Sequence, residues 1–188
     1  MDQPDADEGY LFETAPLLIG TGSAVFSLDR VYRYQLRRTW GNSGSHATWI
    51  MLNPSTADAL EDDPTIRRCT AFTKAWGLDG LIVVNLFALR ATDPRELRGH
   101  PDPVGPANDR WIAEALHSSS VVVAAWGAHP LAEKRTDQVT AIVAERAGYA
   151  SCLGVTKDGY PLHPLARGKS YVPAGTELRY FEPELQGA

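Results

Sequence analysis

The chain contains little cysteine, and this limits the kinds of site that it can build. Its 188 residues include only Cys69 and Cys152, too few for the four thiolates of an iron–sulfur cluster or of a four-cysteine zinc site. The five histidines do not occur at HExxH or HxxxH spacing. We therefore expect no bound metal and no cofactor, and we expect both cysteines to be buried and unpaired.

Long apolar runs are also absent from the sequence. No stretch approaches the roughly 20 apolar residues that cross a bilayer. The acidic start, MDQPDADEGY, lacks the apolar segment of a secretory signal. These absences predict a cytoplasmic protein that does not enter a membrane.

The chain has no surplus of positive charge, since its formal net charge is −5. This excludes a protein that coats nucleic acid with a uniformly basic surface, but it is compatible with a local basic strip. Any one candidate for such a strip is better explained as a solvated surface charge. The candidates are Arg37, Arg38, Arg67, Arg68, Lys74, Arg167 and Lys169.

The chain does contain an alternation of strand-like and helix-like segments. Four apolar runs, at residues 46–52, 80–87, 120–126 and 149–155, are separated by stretches with helical spacing. The first of these helices should start at Asp63-Pro64, and the second should have Asn108 as its N-cap. The alternation predicts a parallel sheet covered by helices.

The length of the chain favours a single domain. We assign residues 21–181 to it and expect residues 1–20 and 182–188 to be loosely held termini. Residues 24–41 alternate apolar and polar side chains and are followed by a turn, which predicts an antiparallel strand or hairpin ahead of the parallel sheet.

Polar residues at the ends of the apolar runs are the candidate site residues, because ligands of such sheets lie beyond the carboxyl ends of the strands. Asn53 follows the first run, Asn85 lies inside the second, residues 126–129 (WGAH) follow the third, and His163 follows the fourth. The amide of a strand asparagine can read the edge of a nucleobase. Each residue also has a structural explanation: a turn before a proline for Asn53, a bonded core amide for Asn85, and a loop histidine for His163.

Four motifs in the chain resemble, in order, the signatures of the uracil-DNA glycosylase superfamily. They are MLNPS (51–55), VVNLFALR (83–90), AAWGAHP (124–130) and LHPLARG (162–168). The resemblance covers about residues 46–170. It implies a three-layer α/β sandwich with a four-stranded, mainly parallel central sheet, in addition to the N-terminal strand or hairpin. It further implies that Asn53 and His163 are catalytic and that Asn85, Ser55 and Leu52 contact the base.

The activity implied by the resemblance is hydrolysis of the N-glycosidic bond of a damaged or modified base flipped out of DNA. Asn53 would position the water and His163 would stabilise the leaving base. Arg67, Arg68, Arg167 and Lys169 would contact phosphates, and Leu165 would fill the gap in the stack. We expect a monomer that binds DNA. The alternatives are a hydrolase of free nucleosides or nucleotides, which suits the acidic charge, and a non-catalytic module that binds nucleobases or nucleic acid.

Three features set the chain apart from the superfamily pattern, one of which is that the motif at residues 162–168 lacks the second proline and the serine of the pattern. Met51 stands where the pattern has glycine, and Ser55 stands where it has tyrosine or glycine, which leaves room for a base larger than uracil. LNPSTAD (52–58) together with DDPT (62–65) is similar to bacterial and phage proteins grouped as a domain of unknown function. The residues Asp62, Asp63, Arg67 and Arg68 are either an ion-pair cluster at a helix start or part of the site.

Overall fold

The computed structural model of the protein describes residues 9–55 and 57–182. Within them eight strands occur at Tyr10–Pro16 (β1), Thr21–Ser27 (β2), Arg33–Thr39 (β3), His46–Met51 (β4), Gly80–Asn85 (β5), Val121–Ala124 (β6), Ala150–Cys152 (β7) and Arg179–Phe181 (β8). The α-helices are Pro64–Ala75 (α1), Asn108–His117 (α2) and Pro130–Ala147 (α3), and short 3-10 turns occur at Pro94–Arg98 and Gly168–Ser170.

The strands form one sheet in the order β1-β2-β3-β5-β4-β6-β7-β8. The prediction of a mixed α/β fold is confirmed, but a four-stranded, mainly parallel sheet is wrong. Strand β4 is parallel to β5 and β6, and β6 is parallel to β7, whereas the other four pairings are antiparallel. The apolar runs predict only the strands buried on both faces. Of the added strands, β1 and β2 are partly exposed and β8 is short, whereas β3 is buried but carries polar side chains, so none of them has a continuous apolar run.

The helices pack on both faces of the sheet. Helix α1 buries Ile66 and Phe72 against the face that carries Trp49, whereas α2 and α3 bury Ile112 and Val139 against the opposite face. Helix α1 starts as the sequence predicts, since Asp63 caps it by accepting a hydrogen bond from the backbone of Ile66 at 2.9 Å. Because each helix follows a parallel strand in the chain, its first turn lies at the edge where the parallel strands end.

The N-terminal part of the chain adds an antiparallel meander to the sheet. Strands β2 and β3 pair as a hairpin, and β1 pairs with β2. Strand β1 lies in the segment that we expected to be loosely held. The ring of Tyr10 packs edge-on against Trp111, with 5.4 Å between centroids, which anchors the strand. Residues 1–8 and 183–188, which belong to the expected loose termini, lie outside the described residues.

Both cysteines, Cys69 and Cys152, are buried and unpaired, as the sequence predicts. Burial raises the pKa of both thiols, so neither resembles a reactive thiolate. In the described part of the chain, no helix combines the length and apolarity needed to cross a membrane. Over the same residues, no three histidine, cysteine, aspartate or glutamate side chains gather into a group that could hold a metal ion.

Candidate functional site

A cavity of about 260 Å³ opens at the edge of the sheet where β4 and β5 end. All five residues that the sequence assigned to catalysis or base contact line it: Leu52, Asn53, Ser55, Asn85 and His163. The first turn of α1, with Asp63, Thr65 and Ile66, forms a wall. The volume of the cavity falls just below the range of about 300–1,000 Å³ that is usual for ligand pockets, so the cavity suits a compact ring system.

Asn85 is the most unusual lining residue, because its side chain is buried with no hydrogen-bond partner. It is 1% exposed, and neither its amide nitrogen nor its amide oxygen is bonded to any of the described residues. An unsatisfied buried polar group costs about 1–3 kcal/mol. A ligand edge that offers one donor and one acceptor would satisfy both atoms.

The backbone around Asn85 is held in place by side chains of α2 and α3. The amide nitrogen of Asn108 donates to the carbonyl oxygens of Asn85 and Leu86 at 3.0 and 3.1 Å. Nε of Arg135 donates to the carbonyl of Leu86 at 3.0 Å, and its guanidinium forms an ion pair with Asp109. The predicted role of Asn108 as N-cap is therefore wrong: the cap is Ala107, without a side-chain bond. The amide of Asn108 instead donates hydrogen bonds to the carbonyls at the strand end.

Asn53 presents an amide whose orientation is fixed by the surrounding backbone. Its Nδ2 donates to the carbonyl oxygens of Ala91 and Pro54, at 2.8 and 3.0 Å. These bonds leave Oδ1 as the acceptor of the side chain. The hydrogen bonds of this side chain among the described residues are donated by its amide nitrogen, unlike the acceptor bond of an Asx turn, and the residue also lines the cavity.

His163 lies across the cavity on the loop after β7. Its Nδ1 accepts a hydrogen bond from the backbone of Leu165 at 3.1 Å, so the neutral ring carries its proton on Nε2. Burial lowers the pKa of His163, with partial opposition from Asp63. Gly127 packs against this loop, since a Cβ there would lie 3.4 Å from the Cβ of His163. The ring is therefore a neutral hydrogen-bond donor at pH 7.

His129 is a structural counterpart of His163. It also precedes a proline, and its Nδ1 accepts from the backbone of Leu131 at 3.3 Å, where it caps α3. Burial also lowers the pKa of His129. His129 does not line the cavity.

The charged cluster at the start of α1 divides into structural residues and one residue of the cavity. Nε of Arg38 donates to Asp62 at 2.8 Å, and this arginine is only 2% exposed. Arg67 donates to the carbonyl of Asp62, and Arg68 donates to the carbonyl of Val172 at 2.6 Å. These contacts attach the start of α1 to β3 and to the segment at Val172. Asp63 both caps the helix and lines the cavity.

Arg33, at the start of β3, is a lining residue that sequence reasoning missed. It is 3% exposed, its Nη1 donates to the carbonyl of Ala57 at 2.5 Å, and its Nε has no partner among the described residues. Burial lowers the pKa of Arg33 to about 10, so it remains charged at pH 7. The pattern around it alternates as in a half-exposed strand, and nothing in that pattern marks this arginine as buried.

The residues predicted to contact nucleic acid lie outside the cavity lining. Arg67, Arg167 and Lys169 are exposed, and Leu165 is 39% exposed. Arg68 is half-buried, with its guanidinium 4.6 Å from the centre of the Phe72 ring. Within the described part of the chain, none of the four cations forms an ion pair.

Comparison with known proteins identifies the family of this chain. No curated protein and no solved structure is significantly similar to it. One family model, described as "Protein of unknown function (DUF1643)", matches residues 33–165. This span is more than half of the chain and runs from Arg33 past His163. The chain therefore belongs to the DUF1643 family.

Proposed function

We propose that the protein is a DNA glycosylase-like hydrolase that cleaves the N-glycosidic bond of a damaged or modified base held in the cavity. The observation that carries the proposal is the Asn85 amide, which is buried without a hydrogen-bond partner among the described residues and lines the same cavity as Asn53 and His163. The edge of a nucleobase carries adjacent donors and acceptors that complement an amide. The four motifs that resemble the uracil-DNA glycosylase superfamily support the same proposal, as do the parallel strands β5-β4-β6-β7 with helices on both faces.

The leaving base is an anion, and His163 is suited to stabilise it. Nε2–H of the neutral ring donates to an oxygen of the base as negative charge develops there. The lowered pKa of His163 supports a neutral ring in this role. Asn85 orients the base by pairing with its edge.

The attacking water is positioned by Asn53. Its Oδ1 accepts a hydrogen bond from the water, since Nδ2 is already bonded to the carbonyls of Ala91 and Pro54. An amide is a poor proton acceptor, so the proton passes to the carboxylate of Asp63, which lines the cavity. The water oxygen bonds to the sugar carbon, the bond to the base nitrogen breaks with its electron pair moving to the base, and the base finally takes up the proton.

The exposed residues beyond His163 are suited to hold DNA. Arg167 and Lys169 would contact phosphates, together with Arg67 and Arg68, each of which also donates to a backbone carbonyl. Leu165 would occupy the gap left by the flipped base. Flipping costs a few kcal/mol, which is least for a damaged or mismatched base.

Hydrolysis of a free nucleoside or nucleotide is the second candidate, favoured by the net charge of −5. The cavity would hold the base in the same way. The two candidates differ in salt dependence, because DNA binding releases counterions and weakens steeply as salt rises.

The test is incubation with single- and double-stranded oligonucleotides that carry a panel of modified bases, scored for alkali-labile abasic sites. We expect strand breaks at one or more modified bases with the wild type and none with Asn85→Ala. A parallel incubation with the matching nucleosides, analysed by chromatography, measures release of free base. Release from nucleosides alone would replace the DNA substrate with a small molecule. No release from either panel would reject the hydrolase.

A further inference from the structure

We propose that Arg33 contacts the bound base and compensates its negative charge, so that the cavity selects bases that bind as anions through an exocyclic oxygen. This inference rests on the proposed function and adds to it a residue and a substrate class. Arg33 lies outside the four motifs that resemble the glycosylases.

The guanidinium of Arg33 is buried without an ion-pair partner. It is 3% exposed, and no carboxylate of the described residues lies within ion-pair distance. Burying a cation without a paired anion is costly. The carbonyl of Ala57 accepts from one of the guanidinium donors, and Nε–H has no acceptor among the described residues. A ligand oxygen in the cavity would complete this arrangement.

The position of Arg33 indicates the base rather than the phosphate backbone as its ligand. Its backbone N–H donates to the carbonyl of Ala88 at 3.0 Å, next to the strand that ends at Asn85. Both side chains line the cavity and both are almost fully buried. By contrast, Arg167 and Lys169 are exposed. The buried guanidinium therefore meets the part of the substrate that enters most deeply.

Among the described residues that line the cavity, Arg33 is the permanently positive side chain and Asp63 is the carboxylate. Besides burial, Asp58 and Asp63 stabilise its charged form, whereas Arg38 and Arg90 oppose it. His163 is neutral at pH 7, because burial lowers its pKa. A fixed cation in a site that excludes water stabilises an anion more strongly than it would in water.

The experiment compares the wild type with Arg33→Gln, Arg33→Lys and a control, Arg37→Gln. Arg37 lies on the same strand but does not line the cavity. Titration calorimetry at pH 7 measures binding of 5-nitrouracil, whose ring N–H is acidic, and of uracil, which is largely neutral. We expect the wild type and Arg37→Gln to prefer 5-nitrouracil by about tenfold or more, as for a charge-assisted hydrogen bond. Arg33→Gln should lose this preference.

Arg33→Lys retains the positive charge but lacks the planar guanidinium with its paired donors, so it should retain part of the preference for 5-nitrouracil. It supplies the test if Arg33→Gln does not fold. A preference that survives in Arg33→Gln contradicts the proposal, as does a wild type that binds neither base. If Arg33→Gln weakens binding of inorganic phosphate but not of 5-nitrouracil, Arg33 binds phosphate and the proposal is wrong.

The outcomes separate this inference from the proposed hydrolase. Loss of the preference in Arg33→Gln, combined with no cleavage of any oligonucleotide by the wild type, supports Arg33 as the anion-binding residue and rejects the hydrolase. Cleavage that is unaffected by Arg33→Gln rejects the role of Arg33 and leaves the hydrolase intact.

Discussion

The side-chain amide of Asn108 donates to the backbone carbonyl of Asn85 at 3.0 Å, whereas the side-chain amide of Asn85 has no partner in the described part of the chain. Both residues are 1% exposed. One buried asparagine therefore holds the strand end, and the other presents an unused amide to the cavity.

This contrast predicts opposite effects of the same substitution on stability. Asn108→Ala removes the side-chain donor of the Asn85 carbonyl and one of the two side-chain donors of the Leu86 carbonyl, and should lower the free energy of unfolding by about 1–3 kcal/mol. Asn85→Ala removes a buried amide that is already unsatisfied, so it should leave that free energy unchanged or raise it. Urea denaturation of the two variants measures both effects. Equal destabilisation by the two variants would mean that the Asn85 amide has a structural role.

His163 and His129 form a matched pair for testing catalysis. Asparagine can reproduce the acceptor that Nδ1 provides to the backbone at both positions, but it removes the ring Nε2–H. His163→Asn should lower the rate constant for base release by about 10²–10³, as for loss of one donor to a developing anion. His129→Asn should leave the rate unchanged, because His129 does not line the cavity. Single-turnover release of base measures the rate, and a similar loss in both variants would contradict the role of His163.

The lowered pKa of His163 also predicts how stability varies with pH. In the unfolded chain histidine protonates near its ordinary pKa of about 6.5, whereas the folded ring protonates only at lower pH. The unfolded state therefore binds more protons in this window. The contribution of His163 to stability is fully present above about pH 6.5 and is lost as the pH falls through its folded-state pKa. Urea denaturation between pH 5 and 8, a range that brackets the ordinary histidine pKa, measures the free energy of unfolding. As the pH falls, this free energy should decrease less for His163→Asn than for the wild type. Parallel curves for the two proteins would contradict the prediction.

The DNA substrate predicts that the exposed cations near His163 set the salt dependence of binding. Arg167→Ala should weaken binding of all oligonucleotides to a similar extent and reduce the salt slope by about one. Arg146 is the control, because it lies in the last turn of α3. This helix starts at the cavity edge of the sheet, and its 18 residues make it about 27 Å long, so Arg146 is far from the cavity. Arg146→Ala removes the same charge far from the cavity and should not change the slope. Fluorescence anisotropy between 50 and 200 mM salt, a range over which phosphate contacts weaken strongly, measures both. An unchanged slope in Arg167→Ala would remove this residue from the interface.

Elements whose signals are local can be predicted from the amino-acid sequence. The continuous apolar runs identify the strands that became β4 to β7, and Asp63 before Pro64 identifies the start of α1 because capping depends on neighbouring residues. Parallel strands end at one edge, so the positions of Asn53, Asn85 and His163 were enough to predict that they lie together. All three line the cavity.

Features that depend on contacts between residues distant in sequence could be seen only in the tertiary structure. Whether a strand pairs with a given neighbour depends on non-local hydrogen bonds, so the antiparallel strands β1, β3 and β8 could not be placed on the sheet from their own residues. Asn108 carries a local N-cap signal, yet its amide donates instead to the carbonyls of Asn85 and Leu86 at the end of β5. Arg33 looks like one more charge on an alternating strand. It is buried where the segment after β5, at Ala88, and the segment at Ala57 contact it, and these contacts join parts of the chain that the sequence pattern does not relate.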